Sequence, residues 1–487
     1  MFINSYDETN PLSIEAYAQN LIGKTFADII KADSQNKFIY DSAEDYGVNH
    51  ENKKRKGGLG EIIEERFFHY KCNNDSKADF EQAGVELKVT PYKINKNKSL
   101  SAKERLIITM IDYVSVINED FYTSHLWAKS NLILLIYYLY SNEIENRLDY
   151  TINYAKLFSP PKEDIEIIKN DFEVIINKIK AGKAHELSEG DTLYLGAATK
   201  AQNSSNLRKQ PFSDILAKPR AFSFKTSYMT YILNNYIVAN KNTYEPIIKN
   251  INDLEGITFE EYVINKINSY IGASDKELCD LFERKYNNNK SQWIDLAYRM
   301  LGIKSNKAEE FAKANIVVKA IRIEENGTNK ENISFPAFKF KELVKEDWED
   351  SNLFTYFNET RFLFVVYKKN GDKYILKGAQ LWNMPYSDLN NTVRLGWSNI
   401  RNTIIQGVKL TKKSNKVENN LPKKEDNQII HIRPHAQKSA YKFISGEIIG
   451  DIYRNANELP DGQWMTTQSF WINNSYIIKQ LDKNLIE

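Results

Sequence analysis

The run from Leu132 to Tyr140 (LILLIYYLY) is the most apolar stretch in this chain of 487 residues. A bilayer-spanning helix needs roughly 20 apolar residues, so the run is too short to cross a membrane. Flanked by polar residues, it reads as a strand buried on both faces. Such a strand must be covered on either side by other elements, which points to an α/β protein with a mixed (α+β) sheet rather than a bundle or a free-standing sheet.

The surrounding pattern agrees. Residues 11–30 read as two helices, the first capped by Ser13, a break at Gly23, and a second capped by Thr25. Residues 57–70 read as a helix opening on Gly57 and Gly58, and 160–181 as a long amphipathic helix. Strands are expected over 83–93, 105–119 and 131–140, with a hairpin over 185–196 turning at Glu189-Gly190-Asp191. The chain is too long for one ordinary core. The polar stretch 238–256, with Pro246 inside it, is the expected boundary, giving domains over 1–238 and 257–487 joined by a linker at 239–256. The Lys- and Asn-rich run 409–428 reads as a surface loop.

The second half resembles a degraded copy of the first. In chain order, Ile22-Gly23 matches Ile271-Gly272, Val85 to Lys88 matches Ile316 to Lys319, and Leu132–Tyr140 matches Phe362–Tyr367. Thr199 to Gln202 then matches Pro434 to Gln437, and Phe222–Met229 matches Phe470–Tyr476.

Net charge is only +2, which neither demands nor excludes a nucleic-acid partner. The two cysteines, Cys72 and Cys279, offer no disulfide framework or zinc quartet, and the default is a reducing cytoplasm. His69 and Cys72 make at most half a metal site and read as packed side chains. The first residues, MFINSYDETN, lack the apolar core of a signal peptide.

The segment Asp79 to Lys88 (DFEQAGVELK) carries the chemistry. Residues two apart on a strand share a face, so Glu86 and Lys88 lie together, and a turn at Gln82-Ala83-Gly84 brings Asp79 beside them. Phosphodiester cleavage needs a hard cation, and magnesium (Mg2+) is held by one or two carboxylates and water. Asp79 and Glu86 are the expected ligands, and Lys88 orients water or stabilises charge on the phosphorus. Spacing alone is a weak signal, since such a pattern also arises as a solvated surface ion pair.

GVELK followed by Val89-Thr90-Pro91 resembles the active-site strand of the GATC-specific endonucleases, the group of the repair enzyme MutH and the Sau-3A-type restriction enzymes. The match is colinear over most of the first half and, for the restriction branch, extends through the second, including Trp464 to Tyr476. The resemblance implies two MutH-like restriction-endonuclease folds, the second degenerate. It implies that the helix at Leu59 to Glu64 brings Glu64 to the metal, that Thr123-Ser124-His125 precedes a second active-site lysine, Lys129, and that Ala184 to Gln202 contacts DNA. Lys200 is then the best candidate for a base contact, with Gln202 beside it, and Arg208, Arg220 and Lys225 are candidates for phosphate contacts. His125 reads as structural. Ser223 stands where MutH has an adenine-sensing aromatic, which suggests cutting insensitive to adenine methylation.

In the second half Val317 replaces the carboxylate while Lys319 persists, so the metal site fails. Ile432 to Lys438 resembles MutH's DNA-contacting loop, with Arg433 and Lys438 as its cations. The expected protein is a type II restriction endonuclease cutting double-stranded DNA at GATC, with an allosteric DNA-binding half and a dimer forming on DNA. The alternatives are a MutH-like nicking enzyme of repair and a non-catalytic DNA-binding protein.

Overall fold

A computed structural model describes residues 5–35, 58–70, 77–200, 206–238, 244–287, 289–329, 332–414 and 416–487. The chain divides into two compact units, one of residues 1–252 with 309–315, the other of 253–308 with 316–487. Both are mixed α/β. Among the described residues no helix is long and apolar enough to cross a membrane.

In the first unit, β1 (Glu86–Ile94) pairs antiparallel with β2 (Leu100–Ala102). On its other side β1 runs parallel to β4 (Ile133–Leu139), and β4 runs antiparallel to β5 (Ile152–Phe158). The expected buried strand is therefore β4, central in its sheet, with Ile133 to Tyr137 wholly buried. Leu134 and Ile136 face a core of Ile14, Leu21, Phe26 and Ile62; each fully buried aliphatic side chain contributes about 1.5–3 kcal/mol. A second sheet orders β3 (Leu106–Met110), β9 (Arg220–Phe224) and β6 (Leu195–Thr199). Between β6 and β9 a separate hairpin is formed by β7 (Arg208–Gln210) and β8 (Ser213–Ala217).

Local chemistry explains where the elements start and stop. The first helix, Pro11–Ala18, is capped by Asn10 rather than Ser13, whose hydroxyl accepts from the Asp7 N–H instead. Thr25 and Asp28 cap the helix Phe26–Gln35 reciprocally, as the sequence suggested. The expected strand over 105–119 ends at Met110, because Asp112 turns the chain by accepting the Val114 N–H and a short 3-10 turn follows at Val116–Asn118. No hairpin forms over 185–196. Ser188 and Asp191 make a capping box around a 3-10 turn, Glu189–Asp191, and Leu195 onward pairs with β9. That turn buries Glu189 against β6, where a Cβ at Gly196 would lie 2.3 Å from its carboxylate, and Arg105 pairs with it at 2.6 Å.

The second unit repeats this plan. β10 (Ile316–Ile323) runs parallel to β12 (Arg361–Asn370), which pairs antiparallel with β13 (Lys373–Trp382). β11 (Ile333–Phe338), Gln468–Ile472 and Ile430–Pro434 form a sheet in the same order as β3, β9 and β6. Fine detail recurs too. Gly23, at φ +84°, donates to Ile152 O while the Ile152 N–H returns to Lys24 O. Gly272, at φ +91°, donates to Leu376 O while the Leu376 N–H returns to Ala273 O. Only a residue without Cβ takes such a φ at little cost.

The stretch 238–256 is more than a tether. Residues 239–243 lie outside the described residues, but Ile247 and Ile248 are buried and donate their N–H groups to Glu310. Glu310 belongs to the helix Glu309–Ala314, which the second half of the chain contributes to the first unit. There the Lys313 ammonium lies 2.7 Å from Asp164 and 2.8 Å from Glu309, and Asp164 also accepts from Tyr228.

Candidate active site

β1 begins at Glu86, and its parallel register sets Glu86 opposite Ile133 and Lys88 opposite Leu135. Both side chains leave the same face of the strand. Glu86 is only 1% exposed. Its carboxylate accepts from the Lys88 ammonium at 2.5 Å and lies 3.4 Å through both oxygens from the Lys129 ammonium. A buried carboxylate of this kind is tolerable only when paired. Lys129 comes from the helix His125–Ser130, capped by the Ser124 hydroxyl on the Trp127 N–H. His125 pairs with Glu119 at 2.8 Å at the start of that helix, away from the carboxylates' partners.

Asp79 reaches the site through the tight turn that the sequence suggested. Phe80 and Val85 close it with two backbone hydrogen bonds, and Gly84 takes φ +64°. The Asp79 carboxylate accepts from the Leu87 N–H at 2.8 Å, which fixes it beside β1. Burial and then the Glu86 charge push its pKa up to about 6, against the opposing Leu87 hydrogen bond and Lys88 charge, with Glu64 adding a smaller upward push. Two other carboxylates, Glu86 and Glu64, therefore act electrostatically on Asp79. Glu64 sits in a single π-helical turn, Ile63–Phe67, following the short helix Gly58–Ile62. Such turns are frequent at functional sites.

Glu64 and Lys88 line a cleft of about 460 Å³ together with Gly60, Lys103, Tyr140 and Arg147. Lys103 and Arg147 escaped the sequence reading, because they come from a strand end and a 3-10 turn remote from the motif. The Lys103 ammonium lies 3.9 Å from the centroid of the Tyr140 ring.

The donor set fits a hard divalent cation, since hard cations take oxygen ligands and magnesium commonly uses one or two carboxylates plus water. Asp79 and Glu86 are the residues that would supply that pair. Among the described residues no three His, Cys, Asp or Glu side chains form a ready-made cage, so Glu64 stands as an electrostatic neighbour of the pair.

The expected DNA-contacting residues divide sharply. Lys200 and Arg208 are exposed, whereas Gln202 lies outside the described residues, as does Cys72. Arg220 and Lys225, expected on phosphates, are interior. Arg220 is 4% exposed and donates to the carbonyls of Ala197 and Leu187. Lys225 is 2% exposed and donates to the Thr192 carbonyl. Each stands at an end of β9, and its side chain satisfies carbonyls of the residues flanking the 3-10 turn and of β6 rather than facing solvent. Ser223 is wholly buried, against the Gly196 carbonyl at 3.5 Å.

In the second unit, Val317 stands opposite Phe362 and Lys319 opposite Phe364, the register of Glu86 and Lys88. Burial pulls the Lys319 amine below its ordinary range. Arg433 and Lys438 are exposed, the former 5.4 Å from the Trp471 ring centroid.

Comparison with known proteins bears on this geometry. The family model described as "DNA mismatch repair enzyme MutH" matches residues 68–171, the span holding Asp79, Glu86, Lys88 and Lys129. The chain is 28% identical to the DNA mismatch repair protein MutH of Vibrio campbellii over 230 residues, 45% of this chain and 92% of the relative. The MutH of Vibrio parahaemolyticus is also 28% identical, over 39% of this chain and 82% of that protein. The type II restriction enzyme Sau3AI of Staphylococcus aureus is 39% identical over 459 residues, 88% of this chain and 93% of the relative. The chain thus belongs to the Sau3AI family within the MutH-like nucleases, and it is a type II restriction endonuclease that acts on DNA.

Proposed function

We propose that this endonuclease cuts both strands of duplex DNA at GATC, in the cytoplasm, with its catalytic centre in the first unit and with the second unit a degenerate, non-catalytic copy that binds DNA. The observation that carries the reading is the buried Glu86 carboxylate, held between two ammonium groups with Asp79 beside it. The GATC site follows from the family resemblance of the active-site strand and the 184–202 segment. A repair nicking role accounts for less of the chain, because the Vibrio campbellii MutH matches only 45% of it.

Nucleases of this family are generally metal-dependent. Magnesium held by Asp79 and Glu86, with Glu64 nearby, would polarise the phosphoryl oxygen and lower the pKa of a bound water. Lys88 and Lys129 approach Glu86 as a pair of cations and stabilise the charge that builds on the phosphate. Lys88 also orients the attacking water through its hydrogen-bonding ammonium. Lys200 reads base edges and Arg208 holds phosphate. Arg433 and Lys438 give the second unit its grip on DNA, and two chains associate on DNA because each metal site cuts one strand.

The duplication rests on the shared strand order, the shared β1/β10 register and the paired glycine turns at 23 and 272. Incubating the chain with magnesium and bacteriophage DNA, then sequencing the fragment ends, tests the reading. Double-strand ends carrying a four-base 5′ GATC overhang are expected by family resemblance. Single-strand nicks alone, or ends with no common sequence, would overturn it.

A further inference from the structure

The hairpin β7–β8 is anchored firmly yet displays apolar side chains to water. Gln210 is its anchor: buried, it accepts from the Ala184 N–H at 2.7 Å and donates to the Ile215 carbonyl at 2.6 Å, with His185 Nδ1 2.9 Å away. The tip is clamped from the other side, where a Cβ at Gly182 would lie 2.6 Å from the Phe212 carbonyl oxygen. Phe212 itself takes φ +61°, an uncommon backbone for a bulky residue, and is 74% exposed.

Leu207, Ile215 and Leu216 are exposed as well. Ile215 and Leu216 are adjacent on one strand, so they point to opposite faces. Both faces of this two-stranded ribbon are therefore bare. An isolated hairpin is marginal in water, and the buried glutamine supplies the rigidity that a core would otherwise give.

Residues 206–218 carry Arg208, Lys209 and Lys218 against the single acid Asp214, and the Lys200 N–H binds the Pro219 carbonyl at the ribbon's base. The second unit places a hairpin at the same point of its plan, between Ile430–Pro434 and Gln468–Ile472. It pairs Tyr441–Lys442 with Ile448–Ile449 and leaves Ile444 80% exposed beyond Lys438 and Lys442.

We propose that β7–β8 is a ribbon that enters the major groove of duplex DNA and sets the Phe212 ring against base edges, while Arg208 and Lys209 hold the flanking phosphates. The major groove is wide enough for a two-stranded β-ribbon, and its walls cover both faces at once. Phenylalanine can pack there on thymine methyl groups. A protein partner gives no reason for cations to rim the apolar tip, whereas a polyanion does. The inference rests on DNA as the substrate and adds a contact that neither the catalytic motif nor Lys200 supplies.

The test uses the full chain, a GATC duplex and EDTA to prevent cutting. It compares wild type with Phe212→Ala and Phe212→Leu by affinity and by protection of guanine N7, which lies in the major groove, from dimethyl sulfate. Phe212→Ala is expected to weaken binding by about tenfold, the scale of one good base contact, and to lose protection at a guanine that wild type shields. Phe212→Leu should keep most of both. Unchanged affinity or unchanged N7 protection in Phe212→Ala overturns the proposal. So does a changed sedimentation rate of the DNA-free chain with unchanged DNA binding, which would make the tip a surface between copies. Loss of affinity in Phe212→Ala on a duplex that wild type does not prefer over other sequences would leave the ribbon standing and remove the GATC reading instead.

Discussion

β1 and β10 occupy the same place in two similar units and have opposite chemistry. In β1, Glu86 faces Lys88 and Lys129 and has Asp79 for a neighbour. In β10 the matching position is Val317, so the pair of carboxylates is gone. The divergence goes further than one residue. Glu310 stands seven residues before Val317, as Asp79 stands before Glu86. Asn315 has the positive φ of +54° that Gly84 has at +64°. Yet Glu310 does not sit beside β10 as Asp79 sits beside β1. It accepts the N–H groups of Ile247 and Ile248, in a helix that completes the first unit. The acid that lies beside β1 in the first unit has as its counterpart in position an acid that gives structural support. The comparison teaches that acids seven residues before matching strand positions can be engaged quite differently, Asp79 by the Leu87 N–H of its own strand and Glu310 by the N–H groups of a remote loop.

The comparison can be broken at several points. The largest effect is expected on the catalytic side: Glu86→Ala should lower the cleavage rate at least about a hundredfold, the scale of losing one preorganised electrostatic group, measured on plasmid in single-turnover conditions. Next comes the transplanted helix. Lys313→Met leaves Asp164 buried without its cation and should cost about 3–5 kcal/mol of stability, read from the denaturant midpoint; an unchanged midpoint would show that the helix Glu309–Ala314 is dispensable. A smaller effect is expected in the second unit. Arg433→Ala or Lys438→Ala should each reduce the slope of log affinity against log salt by about one, with cutting chemistry intact at low salt. The smallest is a null result: Val317→Glu should create no second cutting centre in a Glu86→Ala background, because Glu310 is already engaged by backbone N–H groups.

Much of the site was legible because strand periodicity is strict. Once GVELK is a strand, Glu86 and Lys88 must share a face, and the glycine at 84 marks the turn that returns Asp79. The buried strand at 132–140 was equally plain, since nine apolar residues allow few other fates. Cations were harder. Arg220, Lys225 and Arg208 look alike in sequence, but whether a guanidinium or ammonium meets phosphate or a buried carbonyl depends on which loops cover it. Here the carbonyls of Leu187, Thr192 and Ala197 accept from two of the three. Those turns were themselves misread as a hairpin because Glu-Gly-Asp suits both, and the reciprocal cap from Ser188 decides between them. The transfer of residues 309–315 into the first unit had no local signal, because tertiary pairing of Lys313 with Asp164 lies 149 residues apart in sequence.

The most direct test is to follow Glu86→Ala and wild type side by side on plasmid carrying GATC sites, with magnesium, while measuring affinity for a GATC duplex. Retained binding with no linear product from Glu86→Ala is the result expected if the cut is made by the first unit alone. Linear product from that variant at the wild-type rate would contradict the assignment of catalysis to β1.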